Sequence, residues 1–296
     1  MRLAITGAAG FVGRAVAKHL SDLDFAGSVR LIDREISFPT GFEPMELDLA
    51  DTGAVDRVLD CVDRVLHLAA LPGGAAQSDP ALSQKVNLDV SLDFLSRMQG
   101  RRLIYASSIA VFGDQFPAAV DDNTAVHPTS VYGTHKRMVE LAFADAVRRQ
   151  AATGVALRLP GIVARPSSAE GFGSAFLSDV FHAVRGSHPY TVPTEPEAVS
   201  WLMSVKTCAA NLVHALLSDF SEAEAITLPA LPVSMENLVR SAARYGDSSK
   251  VEYQKNANIQ KIFASHPPLE TTRADSLGFV SDLTLDALVD NGFADA

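Results

Sequence analysis

The feature that most constrains this chain is a glycine turn at its extreme N-terminus, Gly7-Ala8-Ala9-Gly10-Phe11-Val12-Gly13. It follows a short apolar run, Leu3-Ala4-Ile5, and opens a helical pattern through Val12, Val16 and Leu20. Strand, turn and helix in that order suit a pyrophosphate. Residues without Cβ atoms let the backbone approach the phosphates, whose charge then rests on the unpaired N–H groups and positive dipole end of the helix. A glycine-rich helix entry in another α/β protein would carry the same triplet. Here, however, a second apolar run, Val29-Arg30-Leu31-Ile32, ends in Asp33, twenty residues after Gly13, where a ribose-binding carboxylate is expected.

The first half of the chain alternates apolar runs with helical stretches, the signature of a parallel sheet covered on both faces. Strands are expected at Leu3–Thr6, Val29–Ile32, Pro44–Leu47, Arg64–Leu68, Leu103–Ala106 and Val155–Arg158. The break Leu159-Pro160-Gly161 ends this regularity. The fold class is therefore α/β: a doubly wound parallel Rossmann sheet over residues 1–160, and a smaller, interleaved C-terminal domain over residues 161–296. In that second part helices are expected over Phe172–Arg185, Val205–Leu217 and near Met235–Arg244, with strands at Val199–Ser204, Ala225–Leu228 and Val251–Tyr253. The segment near 199–217 is expected to return to the first sheet.

Composition excludes several partners. The 296 residues are 47% hydrophobic and 20% charged, with a formal net charge of −10, which argues against nucleic acid and against an anionic membrane surface. No run of eighteen apolar residues and no signal-peptide pattern is present, so a cytoplasmic protein is expected. The two cysteines, Cys61 and Cys208, stand in runs that read as helical and buried, share no spacing with other metal ligands and are expected to be reduced; no metal site is expected.

A second motif lies near mid-chain. Tyr132-Gly133-Thr134-His135-Lys136 places a phenol and an amine four positions apart, on one face of a helix. A phenol titrates near ~10, and a neighbouring ammonium favours the phenolate and lowers that value. Ser107 and Ser108 end the apolar run Leu103-Ile104-Tyr105-Ala106, and strand C-terminal ends are where open α/β sheets place their ligands.

Gly7-x-x-Gly10-x-x-Gly13, then Ser108 followed by Val111-Phe112-Gly113, then Tyr132-x-x-x-Lys136 resemble the extended short-chain dehydrogenase/reductase family over nearly the whole chain. The resemblance implies NAD(P) as cofactor, Tyr132 as general acid/base and Ser108 as the donor that orients the reacting oxygen. It implies that Lys136 lowers the tyrosine pKa and holds the nicotinamide ribose. Phe112 stands where many members carry Tyr. The expected cofactor contacts are Gly7, Gly10, Phe11, Val12, Gly13, Asp33, Arg34, Asp48, Leu49, Leu68, Ala69, Ala70, Asn87, Tyr132, Lys136, Pro160 and Val163. Asp33 favours NAD by repelling a 2′-phosphate, although Arg34 could pair with that phosphate or stack on adenine. Asp48 could equally cap a helix. Asn87 resembles a helix-distorting residue that supports the lysine, or is a plain polar position. His67 is expected to be a packed strand residue, and His135 to be solvated.

Expected substrate contacts are Leu71, Gly73, Ser107, Ser108, Tyr132, Arg165 and Ser174, within a pocket formed by Leu71–Ala76, the segment after Pro160 and the helix near Phe172. The segments Leu159–Pro166, Ser174–Asp179 and Trp201–Val205 are similar to a narrower group that oxidises a small sugar acid, D-erythronate, at C2 with NAD. The loop Leu71-Pro72-Gly73-Gly74 lacks the serine expected in that group. Arg165 is the candidate for the carboxylate, since a planar guanidinium matches it bidentately; a surface arginine beside a proline turn is the alternative. Two other functions stay open: a nucleotide-sugar epimerase using the same Ser108, Tyr132 and Lys136, and an NAD-sensing binding protein without turnover. A dehydratase is disfavoured by Ile109-Ala110 where an acid pair is needed. The helix through Met138, Val139, Leu141, Ala142, Phe143, Ala146 and Val147 is apolar over more than one stripe, which points to a homodimer through paired helices.

Overall fold

The computed structural model describes residues 1–166 and 173–295. Its strands are β1 (Arg2–Thr6), β2 (Ser28–Asp33), β3 (Glu43–Glu46), β4 (Arg64–His67), β5 (Arg102–Ser108), β6 (Thr153–Leu159), β7 (Gly161–Val163), β8 (Tyr190–Val192), β9 (Val199–Ser204), β10 (Ile226–Thr227), β11 (Leu231–Ser234) and β12 (Val251–Tyr253). Seven form one parallel sheet in the order β10-β6-β5-β4-β1-β2-β3. The chain winds outward from β1 through β2 and β3, then restarts at β4 on the other side. That reversal beside β1 is the point at which a doubly wound sheet opens a crevice for ligands. The strands read as apolar runs because helices cover both faces: Leu3, Ala4 and Ile5 are at most 1% exposed.

The chain divides into two compact units. The first comprises residues 1–111, 128–159 and 209–227 and contains the whole seven-stranded sheet. Its helices include α1 (Phe11–Asp22), α2 (Ala54–Leu59), α3 (Gly73–Ser78), α4 (Pro80–Ser83), α5 (Val90–Arg97) and α6 (Val131–Arg148), with a π-helical turn at Gln84–Asp89, and the larger part of the helix Val205–Leu217 also falls in this unit. Val139 and Phe143 of α6, Phe94 of α5 and Tyr105 of β5 belong to its core. Each large apolar side chain buried there contributes about 1.5–3 kcal/mol.

The second unit comprises residues 112–127, 160–208 and 228–296. It holds the three-stranded sheet β11-β9-β7 and the pair β12-β8. Its core gathers Val163, Leu177, Val180, Phe181, Leu202 and Leu238, among others. The interleaving differs from the sequence expectation in two respects. The excursion 112–127 belongs to the second unit, where Phe112 packs edge-on against Trp201 at 6.1 Å. The return begins at Ala209, because β9 pairs with β7 and β11 rather than joining the large sheet. The strand expected at Ala225–Leu228 is β10, at the edge of the first sheet. Phe172, where a helix was expected to start, lies outside the described residues; the helix there, α7, is described over Phe176–Gly186. Cys61 is exposed, against expectation, because α2 has already ended at Leu59 and Cys61 sits in the turn before β4 with a φ of 57°; Cys208 is buried. No helix among the described residues is long and apolar enough to cross a membrane.

Candidate active site

The glycine turn is shaped by what its residues lack. Gly7 has a φ of 69°, and a Cβ there would lie 2.7 Å from the Ala69 nitrogen; a Cβ on Gly13 would lie 2.2 Å from the Gly7 carbonyl oxygen. The first and third glycines therefore let β1, α1 and the end of β4 pack backbone to backbone. Gly10 caps α1 without a side-chain hydrogen bond, and no acidic residue occupies the first turn, so the helix start keeps its positive character. Asp33 closes β2 beside this turn. Its carboxylate accepts the Ala9 N–H at 2.9 Å and the Arg34 N–H at 2.8 Å, and is thereby fixed in direction. Arg34 is exposed. Asp48 accepts the Ala50 N–H at 2.9 Å in a turn, while Gly53 caps α2, so the helix-cap reading of Asp48 is not what the chain adopts. Leu49 is half-buried and packs against the core.

The end of β4 is held from below. The Leu68 N–H donates to the Thr6 carbonyl at 3.2 Å and the Ala69 N–H to the Thr6 hydroxyl at 3.3 Å. His67 continues this chain: the Thr6 hydroxyl donates to its Nδ1 at 2.7 Å, its Nε2–H donates to Ser91 Oγ at 3.2 Å, and Ser91 donates to the Asn87 carbonyl at 2.9 Å. Burial, and secondarily the nearby Lys136 charge, push the imidazole down to about 3, so His67 is a neutral strut. Asn87 sits in the π-helical turn, and its side chain accepts the Leu71 N–H at 2.6 Å and donates to the Leu71 carbonyl at 3.0 Å. The polar group expected to support the lysine thus clamps the loop that begins at Leu71, while Leu68, Ala69 and Ala70 are half-buried.

Helix α6 starts at a Ser130 cap, whose hydroxyl accepts the Gly133 N–H at 3.1 Å. Gly133 lies so close to the turn after β5 that a Cβ would come within 2.4 Å of the Ala110 carbonyl oxygen. This contact seats Tyr132 and Lys136 at the end of β5. The Lys136 ammonium donates to the Ala106 carbonyl at 2.7 Å and lies 4.7 Å from the Tyr105 ring centre and 5.5 Å from that of Tyr132. It is 2% exposed. Burial brings its pKa down to about 7, and Glu140 opposes that fall. Ser108 Oγ accepts the Ala110 N–H at 3.2 Å, and a Cβ on Gly73 would be 3.9 Å from the Tyr132 ring, so Gly73 and Tyr132 are neighbours. Ser107 points to the opposite side of the strand. Its hydroxyl donates to Glu140 at 2.6 Å in the buried interior, which removes it from the expected substrate contacts. His135 is half-buried rather than solvated, with Nδ1 2.9 Å from Ser83 Oγ, and burial lowers its pKa.

In the second unit, Arg165 donates to the Ser174 carbonyl at 3.3 Å and to its hydroxyl at 3.0 Å. The Arg165 N–H donates to Ser178 Oγ at 3.0 Å, and its carbonyl meets His182 Nε2 at 2.7 Å. Pro160 is buried, and the Val163 side chain is fully enclosed in the core of this unit.

The model of the NAD dependent epimerase/dehydratase family matches residues 3–225. The chain belongs to that family. It is 31% identical to a D-erythronate dehydrogenase of Cupriavidus necator, with 98% of this chain and 97% of the relative covered. It is 28% identical to a D-erythronate dehydrogenase of Haemophilus influenzae, with 95% of each covered. Among solved structures, the nucleoside-diphosphate-sugar epimerase of Agrobacterium tumefaciens superposes with a TM-score of 0.89 at 26% identity, covering 100% of this chain and 94% of that one. The chain is an NAD-dependent dehydrogenase of the epimerase/dehydratase family.

The residues present fit NAD. The cradle that Cβ atoms would fill at Gly7 and Gly13, together with the start of α1, where Gly10 brings no side-chain cap, accommodates a pyrophosphate, and the Asp33 carboxylate suits ribose hydroxyls. Sequence reasoning passed over Thr6, Ser83, Ser91, Glu140 and Arg158. Helical phase was a usable signal for Glu140, which stands one turn beyond Lys136 on the same face. Arg158 is a charge in an otherwise apolar strand, a pattern that calls for a buried partner.

Proposed function

We propose that this enzyme oxidises the C2 hydroxyl of a small sugar acid, D-erythronate or a close relative, to the 2-oxo acid with NAD. The observation that carries the reading is Lys136, buried beside Tyr132 with its nitrogen anchored on Ala106, an arrangement suited to drawing a proton from an alcohol. In this reading Tyr132 accepts the hydroxyl proton, Ser108 orients the oxygen, and the Lys136 ammonium favours the phenolate and holds the cofactor ribose. NAD, when bound, supplies the acceptor for the hydrogen that leaves carbon. The two D-erythronate dehydrogenases support a sugar acid over a nucleotide sugar.

The carboxylate is assigned to Arg165, whose guanidinium is already oriented by Ser174. Losing a buried charged partner costs about 2–5 kcal/mol, so the acid exceeds its neutral polyol by at least roughly 30-fold in kcat/KM. Initial rates on paired acids and polyols test this: equal values for the two sets discard the sugar-acid reading. Arg165→Met removes the preference if the assignment is correct.

A homodimer through α6 is part of the same proposal. Val139 and Phe143 are fully buried, whereas Met138 and Leu141 of the same helix are 45% and 54% exposed, an apolar face open to a second copy. Light scattering should report twice the chain mass, and a monomer for Leu141→Glu.

A further inference from the structure

The Tyr132-x-x-x-Lys136 pattern spans one turn of α6, and the ties of that helix to the sheet continue one turn further. The Glu140 side chain is 1% exposed. Its Oε1 accepts the Ser107 hydroxyl at 2.6 Å and Arg158 Nε at 2.9 Å; its Oε2 accepts Arg158 Nη2 at 3.0 Å and Arg137 Nη1 at 3.1 Å. Ser107 and Arg158 are register partners across β5 and β6, and the next rung pairs Ser108 with Leu159. One carboxylate therefore joins the helix to two strands at the rung before Ser108. Three consecutive residues of β5 are each fixed. Lys136 holds the Ala106 carbonyl, Glu140 holds the Ser107 hydroxyl, and the Ala110 N–H holds Ser108 Oγ. A buried ion pair adds little net stability over an apolar replacement, so geometry is the better reason for this one.

We propose that Glu140 is a positioning residue, its carboxylate locking the helix that carries Tyr132 and Lys136 in register with the strand that ends in Ser108. The proposal rests on the roles given to Tyr132, Lys136 and Ser108, and not on which alcohol is oxidised. It has an electrostatic consequence as well. Around the Lys136 nitrogen stand Tyr132 on α6, Tyr105 on β5 and His67 on β4. Burial keeps the Tyr105 phenol protonated and His67 neutral, and Arg158 on β6 lies across Glu140. Glu140 is the anion that works against the burial of Lys136, so neutralising it releases the lysine proton at lower pH.

Glu140→Gln keeps the shape and an acceptor for Ser107 but removes the charge. Its kcat should fall about tenfold to a hundredfold, and the pH above which kcat and NADH affinity decline should move down by about one unit. Ser107→Ala keeps the charge and cuts only the link to β5. It should lower kcat severalfold, with NADH affinity and the alkaline limb unmoved. NADH binding, followed by fluorescence across pH, needs no substrate, so failure of the sugar-acid reading leaves this test standing. A wild-type alkaline limb in Glu140→Gln, in both kcat and NADH affinity, overturns the electrostatic part. A wild-type kcat in Ser107→Ala overturns the positioning part, and that variant decides alone should Glu140→Gln not fold.

Discussion

The two halves of the site within the first unit are built in opposite ways. At the β1–α1 turn the chain makes room by omission: Gly7 and Gly13 pack against backbone at distances no Cβ could occupy. At the junction of β5 and α6 it fills the interior with polar groups, Lys136, Glu140, Ser107 and Arg158, each held by a named bond. A diphosphate needs only close N–H groups and a helix dipole, which backbone supplies. Proton transfer needs side chains whose pKa values burial and charge can move, and those must be fixed by partners.

The largest effect is expected on the polar side. Tyr132→Phe removes the acid/base group without altering the turn, so kcat should fall ~10²–10⁴-fold while NADH binds nearly as before. Retention of more than half the wild-type kcat would remove Tyr132 from the chemistry. On the glycine side, Gly13→Ala forces a Cβ to 2.2 Å from the Gly7 carbonyl, which only backbone movement relieves. NAD affinity should fall by about one to two orders of magnitude as the turn opens. Gly73→Ala, whose Cβ would meet Tyr132 at an ordinary 3.9 Å, should change it by less than about twofold. Equal effects of the two substitutions, read by calorimetry, would show that steric omission is not what shapes the turn.

A prediction read on stability and not on binding or turnover concerns His67. Its pKa falls from an ordinary 6.5 to about 3 on folding, so the stability it contributes is present above pH 6.5 and is lost as pH falls toward 3. At about 1.4 kcal/mol for each pH unit, up to roughly 4 kcal/mol disappears across that window. Urea unfolding at pH 7, 5 and 4 should show a shallower acid slope for His67→Gln; an unchanged slope would mean that His67 is not the buried neutral group described.

The same contrast explains how much was legible in the sequence. Omission is written in the chain: the glycines, Asp33 and the apolar runs of β1 to β6 can be read one after another, because strand and turn chemistry are local. Tyr132 and Lys136 are legible for the same reason, being one helical turn apart. Partnership is not local. Ser107 with Glu140, Glu140 with Arg158, and His135 with Ser83 join residues from different elements, and only the packing of helices on helices and on the sheet brings them together. Ser107 looked like a twin of Ser108, yet alternation along β5 turns it to the interior. The excursion 112–127 left no mark either, since Phe112 and Phe116 find their aromatic partner, Trp201, far along the chain.

In the proposed reaction Tyr132, beside its buried lysine, takes the hydroxyl proton of a sugar acid, and NAD, when bound, would accept the hydride from the same carbon. This reaction is tested most directly by incubating the purified protein with NAD and D-erythronate and, separately, with a nucleotide sugar, while following NADH absorbance and the products. The account predicts NADH accumulating in step with a 2-oxo acid, and no turnover of the nucleotide sugar. Interconversion of the nucleotide sugar without net NADH, while D-erythronate stays untouched, would contradict it.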